Sequence, residues 1–420
     1  MSAHQQLHRR LGTFDATVIG LGSMLGAGVF VVFSPAAALA GNLLVLSVVI
    51  AGAVAYCNAV ASAALAAKYP TSGGTYVYGR KQLGEWPGFL AGWSFVTGKT
   101  ASCAAMALTF GSYVAGAYAV PVAIAAVVAL TAVNLLGITR TALLTRVLLC
   151  VVLATLVFVA VAAIVGRHPS ADGPLAGSSG GPGGVLPAAG LLFFAFAGYA
   201  RIATLGEEVK DPSRSIPRAI LAALAGAFTI YLALALLLLN HLPGGELAAT
   251  QTPLLEAVLQ SRLAAGAPLV QAGAAAACLG ALLALITGVG RTTLAMARER
   301  DLPRPLARVG GKHTVPYAAE LAVAAVVILL LLTTDVMTVV GFSSFGVLLY
   351  YAVANASAYT LASHPGYAPK WLNAVGFVAC LLLAFTLPAA SVLTMTAVLA
   401  AGVAGRWLVL RLRAGTASDA

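Results

Sequence analysis

Charge is scarce in this chain: 9% of its 420 residues are Asp, Glu, Lys or Arg and 60% are hydrophobic. A soluble domain carries about 25% charged residues, so this deficit excludes an ordinary water-soluble globule. Histidine is sparse too. All six (His4, His8, His168, His241, His313, His364) fall in loops or the N-terminal tail. They come with no HExxH, no nucleophile motif and no intramembrane carboxylate pair. A membrane enzyme is left without its chemistry, and neither a metal nor a cofactor is expected. The five cysteines (Cys57, Cys103, Cys150, Cys278, Cys380) sit in apolar runs and form no CxxC. They read as small core residues rather than a disulfide framework. No cleavable leader is expected either, because the first apolar run is too long and lacks a small-residue cleavage site.

What the chain has is apolar length. A membrane-crossing helix needs roughly 20 apolar residues, and polar or Gly/Pro-rich breaks divide this sequence into twelve such runs. Five lie within 14–166, five within 185–362 and two within 371–409. The predicted fold class is therefore an all-α membrane protein, with residues 1–420 as one transmembrane domain of twelve helices in a lipid bilayer. The net charge of +11 points to the positive-inside rule rather than to nucleic acid. With a cytoplasmic N-terminus, two of the 24 basic residues (Arg167, Arg262) fall outside and two (Lys99, Arg201) within spans, leaving twenty inside. The same count places both termini in the cytoplasm.

The loop "HPSADGPLAGSSGGPGG" (168–184) separates the first five spans from the second five. Five is odd, so the second group must run inverted through the membrane. Span 1 is interrupted by "GAG" (26–28), and span 6, its counterpart, by "AGYAR" (197–201). Gly-interrupted spans at equivalent positions of two halves are the sequence mark of an inverted-repeat secondary transporter.

Four segments carry a resemblance. They are "GLGSMLGAGVF" (20–30), "YPTSGGTYVYGR" (69–80), "FFAFAGYARIATLGEEVKDPSRSIPRAI" (193–220) and "RTTLAMARERDLP" (291–303). In this order they resemble the amino acid–polyamine–organocation (APC) transporter superfamily. The resemblance implies a LeuT-type fold: two inverted five-helix repeats (14–166 and 185–362) with helices 1 and 6 unwound at mid-membrane. It also implies a permease of the cytoplasmic membrane that moves L-amino acids by alternating access; neutral amino acids are the substrates expected here. Unwound backbone is tolerated in a membrane where protein or a watery cavity surrounds it.

By motif position, the resemblance gives the amides of Gly26, Ala27 and Gly28 to a substrate carboxylate, and the carbonyls of Met24, Ala197 and Gly198 to its ammonium. Backbone amides at a half-helix start suit an anion. Many relatives carry Ser or Thr where this chain has Ala27, so one side-chain bond is absent. The competing reading is that these small residues let helices pack closely, as the GxxxG spacing of Gly22 and Gly26 would. Phe194 matches an aromatic lid over the substrate, with Tyr199 the alternative.

Two cations fall in spans, where a charge at the bilayer centre costs at least about 2.5–3.5 kcal/mol. Lys99, in "GWSFVTGKTAS", is expected to alternate between charged and neutral states. It would take over from helix 3 a task that some relatives give to a helix 5 lysine; the equivalent position here is Val152. Structural donation to helix-end carbonyls is the alternative. Arg201 is expected to gate by pairing with Glu207 or Glu208, with Asp211 completing an inner-rim network; selection of an acidic substrate is the alternative. Ala200 stands where many relatives have a carboxylate, which counts against an amine or polyamine. "GAAAACLGALLALI" (273–286) lacks the hydroxyls a sodium site needs, leaving proton coupling, exchange or facilitated diffusion. "GFSSFG" (341–346) is expected to lend hydroxyls to the pocket. A channel or a non-transporting sensor is the remaining rival class.

Overall fold

The computed structural model describes residues 11–69, 74–136, 142–165, 180–203, 205, 209–242, 244–310 and 315–418. Span 1 is three pieces, α1 (Thr13–Met24), α2 (Gly28–Val31) and α3 (Phe33–Ala40), and span 2 is α4 (Leu44–Lys68). A short helix α5 (Gly74–Leu83) precedes α6 (Glu85–Ala115), α7 (Ala119–Leu135) and α8 (Ala142–Val165). Span 6 is again divided, into α9 (Val185–Phe196) and α10 (Ala200–Ala203). Then come α11 (Pro212–His241), the short α12 (Gly244–Ala249) and α13 (Pro253–Leu259), and α14 (Ala267–Arg298). Finally come α15 (Tyr317–Thr333), α16 (Val336–Tyr359), α17 (Lys370–Thr386) and α18 (Ala389–Ser418).

Among the described residues nine helical segments are long and apolar enough to cross a membrane, and α15 and α17 are shorter apolar helices. One of the nine, Glu85–Leu135, runs 51 residues. It turns at Gly116, whose φ of 50° a side chain would oppose, so that α6 and α7 are separate helices. Several helices outrun their apolar stretch, α14 most clearly: it continues to Arg298, past residue 291 where the apolar run ends. Backbone bonds within a helix do not depend on apolar side chains, so a span can project into water.

Among the described residues, backbone pairing outside the helices is limited to two single-residue bridges, Leu11–Val209 and Gly310–Val315. The first, with Lys210 N–H donating to Leu11 O at 2.9 Å, ties the entry of α1 to the segment after α10. Arg146 of α8 pairs with Asp15 of α1 nearby. At the centre, α6 packs on α14 and α16, while α4 packs on α11 and α9. Large apolar side chains such as Leu332, Val378 and Leu393 are exposed on the outside, as expected where lipid rather than water is the neighbour.

Candidate functional site

Helix 1 breaks twice, for two reasons. At Leu25–Ala27 the glycines on either side weaken the helix, and α2 restarts at Gly28. At Val32 the cause is Pro35: it has no N–H to offer Val31 O and its ring crowds that carbonyl. Helix 6 breaks once, where Ala197–Tyr199 tighten into a 3₁₀ turn before α10.

The two breaks touch. A Cβ on Gly198 would stand 2.5 Å from the Ser23 carbonyl carbon and 2.6 Å from Met24 N. A Cβ on Gly28 would stand 2.7 Å from Ala195 Cα, and one on Gly26 would stand 2.9 Å from Ala281 Cβ of α14. The glycines therefore allow helices 1, 6 and 8 to meet at backbone distance, which is the close-packing role weighed above. Ligand approach on the Cβ side of these three residues is blocked by protein.

The backbone polar groups are left in an uneven state. Between described residues, the amides of Gly26, Ala27, Gly28 and Val29 donate no hydrogen bond, and all four residues are buried. Buried amides are normally paired, so four consecutive unbonded donors stand out in this break. The carbonyls differ. Met24 O accepts from Tyr231 Oη at 2.6 Å, Ala195 O from the same hydroxyl at 3.1 Å, and Ala197 O from Tyr351 Oη at 3.4 Å. Tyr113 Oη donates to Phe30 O at 2.9 Å. Two carbonyls expected to face an ammonium are thus already braced by tyrosines of α11 and α16, each with one lone pair left. These three tyrosines did not stand out in the sequence. A lone Tyr in an apolar helix signals only that its hydroxyl needs a partner somewhere.

Phe194 is 7% exposed and lies between Phe193, edge-on to Tyr351, and Phe196, edge-on to Tyr231. Tyr199 is fully buried, its ring 5.1 Å from that of Tyr351, so it packs between helix 6 and α16. Lys99 is 7% exposed, and no ion pair between described residues includes it. One and four turns along α6 its face carries Cys103, with which it interacts electrostatically, and Tyr113, whose hydroxyl reaches Phe30 of α2. Val152 of α8 is buried at 3% exposure.

Arg201 needs correction as a buried cation: it is exposed. Its expected partners, Glu207 and Glu208, lie outside the described residues. Asp211 is exposed and heads α11 in a left-handed conformation, φ 45°. Among the described residues an ion-pair network is centred on Asp301, just beyond the end of α14. Arg80 Nη1 lies 2.9 Å and Arg406 Nε 3.1 Å from its carboxylate, and Tyr76 Oη donates to it at 2.9 Å. Burial, then the Asp301 charge, hold the Tyr76 phenol well above its ordinary value, so it remains a donor. Arg406 also reaches Glu85 at 3.3 Å, joining α18 to the start of α6. In the "GFSSFG" stretch, Ser343 Oγ is 2.6 Å from Ser102 Oγ of α6, while the buried Ser344 hydroxyl has no partner.

Apolar helices of membrane-crossing length arranged around two touching broken helices define a membrane transporter. The chain belongs to the amino acid permease family, whose profile matches residues 11–405. It is 55% identical over 399 residues to an uncharacterized transporter of Mycobacterium tuberculosis, covering 95% of this chain and 91% of that one. To the branched-chain amino acid permease of Bacillus subtilis it is 30% identical over 347 residues, 76% of this chain and 73% of the other. To the chloroplastic cationic amino acid transporter 7 of Arabidopsis thaliana it is 28% identical over 397 residues, 87% and 68% respectively.

Proposed function

We propose that the chain carries neutral L-amino acids across the cytoplasmic membrane by alternating access, as a twelve-span transporter of two inverted five-helix repeats with both termini inside. The observation that carries this reading is the run of four unbonded, buried amides from Gly26 to Val29 beside the helix 6 break. A carboxylate pairs with such donors, and charge-assisted bonds of that kind are about twice as strong as neutral ones. The remaining lone pairs of Met24 O and Ala197 O, and Gly198 O, serve the ammonium. Phe194 closes over the bound molecule.

Substrate charge follows from what surrounds the breaks. Among the described residues the two buried carboxylates are Asp301 and Glu320, beyond the end of α14 and at the start of α15. Neither lies on the two broken helices, so an extra positive charge on the substrate would meet no buried counter-ion among the described residues there. Proton coupling or exchange, rather than sodium coupling, fits the hydroxyl-free 273–286 segment of helix 8. Lys99 is the group given the coupling role at the site, since a buried ammonium without a counter-ion is held at a cost that neutralisation removes.

The test is uptake of labelled amino acids into proteoliposomes, with and without an inward proton gradient. A neutral amino acid should be taken up and should be competed by other neutral L-amino acids but not by lysine or putrescine. If no amino acid enters or competes, the reading fails.

A further inference from the structure

One buried carboxyl lies away from the site described above. Glu320, the fourth residue of α15, is 1% exposed and its Oε2 has no hydrogen-bond partner. It packs on Gly290 of α14, where an added Cβ would come within 2.7 Å of Glu320 Cγ. The missing side chain is what makes room for the acid. Three residues along the same face of α14, Thr293 is 4% exposed and its hydroxyl is likewise without a partner.

Among the described residues of the elements packed on α15, the charged and titratable groups are these, Cys278 and Arg298 of α14 included. On α14 Arg291, itself exposed, acts electrostatically on Glu320. Helix α7, also packed on α15, has no titratable side chain. Helix α6 carries Glu85, Lys99, Cys103 and Tyr113, and the 304–307 turn carries Arg304. A carboxylate out of water persists only when paired, whereas the neutral acid needs no counter-ion. Glu320 thus has two arrangements open to it: ionised toward Arg291, or protonated in the Gly290–Thr293 seam.

Helix α14 links this seam to the substrate site. Ala281 of α14 abuts Gly26, and Gly290 follows nine residues later, about 13 Å along one continuous helix and on its opposite face. A shift of α14 against α15 is therefore felt at the helix 1 break. We propose that Glu320 is a second proton-binding group of the coupling cycle, acting beside Lys99, at a site separate from the substrate and connected to it by α14. An O–H bond forms on Oε2 with a proton from water, and it breaks when the carboxylate returns to Arg291. This inference rests on the reading of the chain as a proton-coupled amino acid transporter.

The experiment has two arms. Dicyclohexylcarbodiimide reacts with protonated carboxyls in apolar surroundings, so mass spectrometry of the treated wild-type protein should find the adduct on Glu320, less of it as pH rises from 5 to 9. No adduct at any pH overturns the proposal, whether or not transport is observed. In proteoliposomes, Glu320→Gln should lose gradient-driven accumulation of labelled L-leucine, L-alanine or L-serine at least tenfold, while counterflow, which needs no net proton movement, persists. Accumulation equal to wild type overturns the proposal, as does equal loss of both modes. Where the Gln variant fails to fold, Glu320→Asp decides: it should keep accumulation with a displaced pH profile, and an unchanged profile refutes the assignment. Wild-type protein that shows no counterflow of any amino acid refutes the transport reading instead, and the carbodiimide arm still judges the proton site.

Discussion

Replacing Gly198 with alanine tests the contact on which the site depends. The new Cβ would stand 2.5 Å from the Ser23 carbonyl carbon and 2.6 Å from Met24 N, where ordinary contact begins at 3.4 Å. All the crowding atoms are backbone, so no rotamer change relieves them. The Ser23 carbonyl oxygen is nearer still, so helices 1 and 6 must separate by roughly 1 Å, and overpacking of this kind costs about 1–3 kcal/mol. That is about a 5- to 150-fold change in an equilibrium, here the one between the assembled break and a parted one. The same displacement carries the Gly26–Val29 amides away from the helix 6 carbonyls, so substrate affinity should fall by a comparable factor. The assay is counterflow in proteoliposomes, with half-saturation and maximum rate measured against wild type. Gly405→Ala is the control, since nothing lies within 4 Å of its added methyl, and it should behave as wild type. Wild-type half-saturation and rate in Gly198→Ala would refute the idea that the touching breaks form the site.

Three further substitutions follow from the same geometry. Tyr231→Phe removes the hydroxyl shared by Met24 O and Ala195 O; with buried acceptors left unpaired it should cost about 1–3 kcal/mol, read as a lower melting temperature in detergent and weaker substrate protection, and an unchanged melting curve would count against the brace. Lys99→Ala should abolish uptake or detach it from the proton gradient, and normal transport with unchanged pH dependence would defeat the coupling role. Asp301→Asn strips the shared counter-ion from Arg80 and from Arg406, which is 6% exposed; breaking a buried pair costs about 3–5 kcal/mol, and Arg406→Gln in the same protein should add much less than it does alone. Strict additivity of the two, measured by thermal unfolding, would show that they do not interact.

How far the sequence could be read depended on whether the information was local. The breaks are local: glycine weakens a helix wherever it stands, so "GAG" and "AGY" announced them, and the structure interrupts α1 at Leu25–Ala27 and α9 after Phe196. The kink at Val32 was equally available from Pro35, though the glycines drew attention from it. Partnerships were not local. Tyr231 braces a carbonyl 207 residues away in the chain, and nothing in the sequence around either residue encodes that meeting. Asp301 shows the intermediate case: it stands in the "RTTLAMARERDLP" segment that the sequence singles out, but only tertiary packing brings Arg80, Arg406 and Tyr76 to its carboxylate. Glu320 was missed because it stands at a span boundary, where a carboxylate looks solvated until a neighbouring helix with a glycine covers it.

The glycines themselves change meaning in a way that bears on specificity. As residues that admit a ligand, they would let substrate shape decide who binds; as residues that admit other helices, they fix the backbone instead. With Gly26, Gly28 and Gly198 filled on their Cβ side by Ala281, Ala195 and Ser23, and with tyrosines pinning the carbonyls, the proposed site leaves recognition to amides whose positions the packing sets. Such a site reads the carboxylate and ammonium common to all amino acids. Discrimination among side chains must then come from the apolar walls, where one methylene is worth only about 1–3 kcal/mol. A transporter built this way should accept several neutral amino acids of similar size, with half-saturation constants spread over about 10- to 200-fold rather than a single strict substrate. Competition by a graded series from alanine to leucine would measure that spread directly. Uptake confined to one member of the series would mean that a polar group of the pocket, such as the unpartnered Ser344 hydroxyl, takes part in recognition.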